Sequence, residues 1–391
     1  MKPTEGRRRV VIEDVEPQVN GGRYPAKRTL GDQVTVTAAI FSDGHDHVGA
    51  RLLYRHSSQK KWQETRLKAL PNDLWTASFV VDQLGTWMFS VEGWVDHFDT
   101  WIHDLGKRLA AQPDPLQPTQ STEPQDIPLQ LLIGAGLLDE TASRAKGADA
   151  KRLQAGAAQL RALAAQNLAV YESVIPDEVV TLASRYPDLR YATRFDAELP
   201  VWVDRERARF SAWYELFPRS CGASEMVHGT LRDVSAELPA IAAMGFDIVY
   251  LPPIHPIGMQ YRKGKNNSVT AEPGDVGSPW AIGAAEGGHT ALHPELGTFG
   301  DFEALVGTAK AEGMELALDI AFQCSPDHPW VAEHPDWFKM RPDGTIQYAE
   351  NPPKKYQDIY PINFESSDWR GLWDALPVSY THLTLPTKRI V

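Results

Sequence analysis

An apolar run that empties into a long polar and aromatic loop constrains this chain most. Met314, Leu316, Leu318, Ile320 and Phe322 are apolar with few interruptions, the pattern of a parallel strand covered on both faces. Asp319, Gln323, Asp327 and His328 stand at its end, and the loop that follows, to Asp358, is too rich in Pro and Trp for a simple turn. In an α/β barrel the active site is built from such strand ends and the loops after them. The segment upstream has the matching cadence: SAWYELFPRS predicts a strand, TLRDVSAELPAIAAMG a helix and FDIVYLPPIHPIG a strand with its loop. GTFGDFEALVGTAKAEG predicts a second helix and MELALDIAFQ a third strand. Thr230 or Gly229 caps the first helix and Gly245 suits its stop. A βαβαβ order implies a parallel sheet with right-handed crossovers. A doubly wound sheet fits as well, but the long loops after the second and third strands favour a barrel.

Short alternating runs recur between turn signals from Arg9 to Leu105, among them QVTVTAAIFSDG, LWTASFVVDQLG and WMFSVEGWVD. They predict a small antiparallel β-sandwich. Trp75, Trp87, Trp94 and Trp101 could form a sugar-stacking platform, although tryptophans in such strands more often fill the core. Between Pro113 and Pro128 the prolines forbid a regular element and mark a boundary or an exposed loop. Leu129 to Ser184 is rich in Ala and Leu, with Leu153, Leu160, Leu163 and Leu168 near helical spacing, which predicts a helical bundle whose apolar stripe serves packing or a dimer surface. The link RYATRFDAELPVWVDRERARF leads into the strand-helix part.

Composition narrows the partners. The formal net charge of −12, from 51 acidic and 39 basic residues, argues against a phosphate-backbone binder and for a small-molecule or neutral-polymer ligand. Two cysteines, Cys221 and Cys324, are too few for a disulfide framework. The apolar segment from Ile127 to Leu138 is too short to span a bilayer, and the N-terminus has no apolar signal core. The expectation is a cytoplasmic protein with no nucleic-acid or membrane partner.

FDIVYLPPIHPIG, HPELGTFGDFEALV and ELALDIAFQCSPDHPW resemble the first half of the catalytic barrel in the α-amylase superfamily, glycoside hydrolase family 13. The fuller set YRKGKNNS, QCSPDHPW, RPDGTI and AENPPKKYQDIYPINF resembles the bacterial α-1,4-glucan:maltose-1-phosphate maltosyltransferases. Where amylase-type hydrolases generally carry a histidine after the third strand, this chain has Gln323-Cys324-Ser325, which favours the transferase. The resemblance implies a multidomain chain: an N-terminal β-sandwich over 1–112, a helical bundle insert over 113–190, and over 191–376 the first strands and helices of a (β/α)8 TIM barrel. It stops near Leu376, so residues 377–391 are expected to be a foreign tail on a truncated barrel.

By the same resemblance the donor is α-maltose 1-phosphate, the acceptor an α-1,4-glucan, and the assembly a homodimer through the N-terminal and helical domains. No cofactor is implied. Lys263, Gln323 and Asp358 are expected on the maltosyl phosphate, with Asn351, Lys354 and Tyr356 around its phosphate end; Lys355 stays unassigned. Retaining transfer needs a nucleophile and an acid/base carboxyl roughly 5–5.5 Å apart, and the resemblance places both beyond the end of this chain. Asp319 then has a structural role, and no catalytic residue is assigned. Two other readings stand beside this one: an amylase-like hydrolase or transglycosylase, and a non-catalytic glucan-binding or dimerising fragment. His255 and His328 lack zinc spacing and fit core or hydroxyl-binding roles. Trp280, Trp330 and Trp337 either stack on sugar rings or pack the loop. Half a barrel would also leave its third strand as an open edge, predicting poor solubility.

Overall fold

The computed structural model describes residues 5–110, 126–166, 175–224 and 227–384, with side chains to 377. The chain divides into two compact units, Met1–Arg209 and Phe210–Val391.

The first unit opens with strands β1 (Val10–Glu16), β2 (Ala26–Thr29), β3 (Gln33–Ser42), β4 (Val48–His56), β5 (Gln63–Arg66), β6 (Lys68–Ala69), β7 (Leu74–Val80) and β8 (Gly85–Val95). Helices α1 (His97–Ala110), α2 (Ile127–Arg144), α3 (Gly147–Gln166) and α4 (Asp177–Ser184) follow, then β9 (Thr193–Arg194) and β10 (Leu199–Asp204). One sheet runs β1-β3-β7-β6; the other runs β2-β10-β8-β4-β5 with β9 on β8. Period-two alternation turns Val34, Val36, Ala38 and Ile40 of β3 inward, where they meet Ala50, Leu52, Phe89 and Val91 of the second sheet in one core.

The boundary expected near residue 191 differs from the observed one. Residues 191–205 head no third domain: Leu199–Val203 pairs antiparallel with β8, and Val201–Asp204 pairs parallel with β2. LPVWVD alternates, and Leu199, Val201 and Val203 are buried in the sandwich core, so the chain returns to the sheet after its helical excursion. The sheet part likewise ends at Val95, because α1 sends Trp101 and Leu105 into the helical core with Leu131, Leu138, Leu153 and Leu160. Leu168 lies outside the described residues.

Trp75, Trp87, Trp94 and Trp101 pack rather than display their rings. Trp87, Trp94 and Trp101 are buried, and the indole N–H groups of Trp75, Trp87 and Trp101 donate to the carbonyls of Ile40, Gln83 and Gln130. Gly134 exists for Trp101: a Cβ there would sit 1.9 Å from the indole ring.

In the second unit β11 (Trp213–Glu215), α5 (Leu231–Ala243), β12 (Ile248–Leu251), α6 (Phe299–Ala311) and β13 (Glu315–Leu318) form a parallel sheet in the order β11-β12-β13 with its helices. Thr230 with Asp233, and Thr298 with Asp301, close a capping box at the start of each helix. Leu231, Val234, Leu238, Val249, Leu251, Phe302 and Leu305 fill the core. The third strand is not covered on both faces: all four residues of β13 are half-buried and Phe322 beyond it is 53% exposed. Among the described residues β13 pairs on one side only, with β12, so the apolar run lacks the second neighbour that its pattern anticipates.

Beyond β13 come β14 (Gln323–Cys324), α7 (Pro329–Glu333), β15 (Ala349–Asn351), β16 (Lys354–Tyr356), β17 (Tyr360–Pro361) and α8 (Trp369–Thr384). β14 pairs antiparallel with β17, and β15 with β16. Cys324, Trp337, Phe338, Ile362, Leu372 and Leu376 form their own small core. The expected break at residue 377 falls inside α8, which runs on to Thr384; residues 385–391 lie outside the described residues. Among the described residues no helix is long and apolar enough to cross a membrane.

Candidate functional site

Irregular backbone between β12 and α6 must satisfy its carbonyls without a ladder, and one guanidinium does much of this work. Arg262 Nε, Nη1 and Nη2 donate to the carbonyls of Gly258, Asp275 and Ile257 at 2.8, 3.1 and 2.7 Å. Asp327 answers from the far side of β14. Its Oδ2 accepts from the Met259 and Gln260 amides at 2.6 and 2.8 Å, and its Oδ1 accepts from Gln260 Nε2 at 2.7 Å. Ser325 Oγ donates to the Gly283 carbonyl at 2.5 Å. The chains approach so closely that a Cβ at Gly258 would lie 2.4 Å from that of Ser325, which is what the glycine supplies.

This clamped loop delivers Lys263 to Asp358. The ammonium is 3.9 Å from Asp358 Oδ1 and 3.5 Å from the Lys355 carbonyl. Lys263 is 9% exposed and Asp358 only 2%. Burial pushes the Asp358 carboxyl up from its ordinary range, with Lys263 pulling the other way. Asp358 Oδ1 has no hydrogen-bond partner, so a buried acceptor faces a long ion pair, and both groups keep capacity for a hydroxyl or an anion.

The hairpin beside them sorts its side chains by alternation. Asn351 pairs with Lys354 and Ala349 with Tyr356 across the Pro352-Pro353 turn, so Asn351, Lys354 and Tyr356 share one face while Glu350 and Lys355 share the other. Asn351 and Lys354 are exposed and Tyr356 half-buried. Arg341, stacked 3.9 Å from the Tyr348 ring centroid and 3.7 Å from Glu350, braces the base of the hairpin.

Gln323 joins a different network. Its Nε2 donates to the Trp280 carbonyl at 3.0 Å, and Trp280 Nε1 donates to Asp319 Oδ2, which also accepts from Tyr250 Oη, both at 2.7 Å. Burial and that hydrogen bond push the Tyr250 phenol up to about 12. Asp319 thus ties β12, the Trp280 loop and the end of β13 together, the structural role expected of it. Trp337 is 2% exposed, donates to Asp368 and stacks on His334; Trp330 stacks on His289. Both pack the loop.

His289, Cys324 and His328 place their ligating atoms within 4.8 Å of one another, a cluster hidden from sequence spacing. Trp330 N–H donates to His328 Nδ1 at 3.0 Å, so Nδ1 is bare and the proton of the neutral ring sits on Nε2. His289 Nε2 is 2.8 Å from the Ala321 carbonyl and must donate to it. Its Nδ1 is therefore free to accept from His328 Nε2 at 3.0 Å. Burial pushes the Cys324 thiol up, away from the thiolate. In this arrangement the facing nitrogens of the two rings are bonded to one another. His255 donates or accepts through Nδ1 with the Ala291 carbonyl, hence donates, at 3.0 Å, and is buried as core.

Sequence reasoning missed Arg262 and His289, and it named Trp280 as a stacking or packing ring without foreseeing its hydrogen bond to Asp319. Of the glycines, Gly277 stands against Arg262, where a Cβ would lie 2.9 Å from its Cγ, whereas Gly283 and Gly288 make room for His328.

The second unit is thus a capped βαβαβ sheet that carries a buried Lys-Asp pair in its loops. The family model described as alpha-1,4-glucan:maltose-1-phosphate maltosyltransferase, domain N/S, matches residues 8–205, half of the chain, and the chain belongs to that family. The protein of that name from Chlorobaculum tepidum is 50% identical over 375 residues, covering 96% of this chain and 54% of that protein. The one from Methylacidiphilum infernorum is 46% identical over 374 residues, covering 96% and 54%. The chain therefore spans about half the length of the curated relatives it matches. Among solved structures, an alpha-amylase from Lactobacillus plantarum is 32% identical over 45% of this chain and 36% of that one, with a TM-score of 0.36, too low to carry a fold argument.

Proposed function

We propose that the protein to which this chain corresponds transfers maltosyl units from α-maltose 1-phosphate to the non-reducing end of α-1,4-glucans, releasing phosphate with anomeric retention, in cytoplasmic glucan or glycogen elongation. In this reading 210–376 is the first part of a (β/α)8 barrel. The sandwich and the helical segment are separate domains that carry homodimerisation. Lys263, Asp358 and Gln323 bind the donor, and Asn351, Lys354 and Tyr356 surround its phosphate. The single observation that supports this most is the buried Lys263–Asp358 pair with its unspent acceptor, next to a hairpin that carries a lysine, an amide and a phenol on one face. An ammonium with an amide and a hydroxyl suits a phosphate, and a carboxylate suits sugar hydroxyls.

The chain as it stands is expected to hold the donor without turning it over. Asp319 and Asp327 both accept several N–H or O–H groups in holding loops, so neither serves as a nucleophile, and the pair that retention requires comes from elsewhere in the longer protein. The test is phosphate release from α-maltose 1-phosphate with a malto-oligosaccharide acceptor. It is run on this chain and on this chain lengthened with the C-terminal part of a full-length relative. Release by the lengthened chain alone is the expected result; release by neither returns the reading to a hydrolase or a binding fragment, and release by the short chain means the catalytic carboxylates lie within it.

A further inference from the structure

Between the end of β13 and the start of β14 the chain leaves one ladder before it joins the next. Asp319 N–H still donates to Leu251 on β12, and Gln323 already pairs with Pro361 on β17. The carbonyls between them need another hold. That of Phe322 receives only a 3.4 Å contact from the Ile362 amide, whereas that of Ala321 receives His289 Nε2 at 2.8 Å. Behind His289 stands His328, and behind His328 the Trp330 amide, one of the orphan N–H groups at the start of α7. Backbone groups of opposite character therefore anchor the two ends: an amide that can only donate and a carbonyl that can only accept. Between such ends two neutral rings have one proton order that satisfies every nitrogen, running Trp330 N–H to His328 Nδ1, His328 Nε2–H to His289 Nδ1, and His289 Nε2–H to Ala321 O.

We propose that His289 and His328 are positioning residues for Gln323, forming a relay of two neutral imidazoles that clamps the Ala321 carbonyl and so fixes the loop from which Gln323 reaches its partner. This rests on the donor-site reading of Gln323. The relay is built in. His289 and His328 are 1% and 2% exposed, and the His289 ring is stacked on Trp330 with centroids 5.1 Å apart and planes at 11°. The backbone makes room for it: a Cβ at Gly288 would lie 2.1 Å from His328 Nε2, and one at Gly283 2.4 Å from His328 Cδ2. A rigid ring with an acceptor on one side and a donor on the other is the requirement. A glutamine amide can meet it through Oε1 and Nε2, and a leucine cannot.

The experiment is nitrogen NMR of the full chain labelled at histidine and glutamine, unsubstituted and as H289Q and H289L. In the unsubstituted chain at neutral pH both rings are expected as the tautomer with Nε2 protonated and Nδ1 bare, with coupling between His328 Nε2 and His289 Nδ1 across their hydrogen bond. Either ring protonated at Nδ1, or charged, overturns the relay. The Gln323 side-chain amide resonance is expected to move in H289L and to stay near its original position in H289Q. An unmoved resonance in H289L, or an equal displacement in both variants, overturns the positioning role. Should H289L fail to fold, the tautomers still judge the relay, and a Gln323 amide resonance displaced in H289Q overturns the positioning role. Affinity for α-maltose 1-phosphate should fall about tenfold in H289L alone, the weight of one lost hydrogen bond. An unsubstituted chain that does not bind the donor refutes the donor-site reading, and the tautomer and amide results judge the relay without it.

Discussion

Replacing Lys263 by methionine tests the Lys263–Asp358 pair where its chemistry is most exposed. The ammonium is the charged group opposite a carboxylate that is 2% exposed and whose Oδ1 has no hydrogen-bond partner. Without it Asp358 either stays ionised and unpaired, which for buried pairs costs about 3–5 kcal/mol, or takes up a proton. Protonation sets the ceiling. Holding a carboxyl of ordinary pKa ~3.9 neutral costs ~4 kcal/mol at pH 7 and ~1.5 kcal/mol at pH 5. The sign follows from the direction of the shift: a carboxyl raised in the folded state is fully compatible with folding below its unfolded pKa and costs stability as pH rises. The deficit of K263M should therefore grow from pH 5 to pH 7. Adding D358N in the same background should recover most of it, because a neutral amide no longer has a charge to bury. Hydrogen exchange at Ile359 and Ala349, whose amides bond the Tyr356 and Ile359 carbonyls on either side of Asp358, reads the local opening energy once intrinsic exchange rates are corrected for pH. A deficit equal at the two pH values, or one that D358N leaves in place, would refute the account.

The remaining expectations concern the scaffold. Gly288→Ala should cost about 1–3 kcal/mol by overpacking against His328, whereas Gly307→Ala in α6, with nothing within 4 Å of the new Cβ, should gain about 0.5–1 kcal/mol; thermal midpoints that move in the same direction would contradict this. Burial pushes His255 down to about 4 and His328 down to about 3. The unfolded chain therefore takes up protons first as pH falls, and this stability is complete above the ordinary histidine value and lost progressively below it. His255 alone represents about 3 kcal/mol, with Asp358 working in the opposite direction, and urea midpoints that do not fall between pH 7 and pH 4 would count against it. Thr230→Ala removes the N-cap of α5 and should cost about 1 kcal/mol, a loss that urea unfolding of the variant must reproduce.

How much the sequence disclosed depended on the range of the interaction involved. An N-cap at Thr230 or Gly229, the stop at Gly245 and the order of strands and helices in the second unit were legible because each is decided within a few residues, and the structure gives the cap to Thr230. The six residues singled out on motif alone fall into two groups in space: Lys263 and Asp358 beside the hairpin of Asn351, Lys354 and Tyr356, and Gln323 held at Trp280. What escaped was decided across long separations. LPVWVD carries a clear period-two pattern, but nothing local says that its partners are β8 and β2 rather than a following strand. Met314 to Phe322 carries the pattern of a doubly covered strand, yet burial also needs a neighbour on the far side, and β13 pairs only with β12 among the described residues. The histidine relay joins residues 39 positions apart, a separation at which spacing conveys no geometry.

The buried polar groups of the second unit divide by whether their hydrogen-bonding capacity is already used. Arg262 spends its guanidinium on three carbonyls, Asp327 its carboxylate on two amides and a side chain, and Asp319 its Oδ2 on a phenol and an indole. His328 and His289 use every ring nitrogen in the relay. Arg262, Asp327 and the two rings are committed to backbone that no ladder supports, and Asp319 to side chains that tie β12 to the Trp280 loop, so mutating one loosens a loop before it touches any ligand. Among the described residues of this unit, the buried side-chain oxygen left without a hydrogen-bond partner is Asp358 Oδ1, and the charge that faces it stands off at 3.9 Å. An unspent buried acceptor costs stability. That cost is borne where four clamps already hold the surrounding loops, which is what the proposed donor-site reading requires of Asp358.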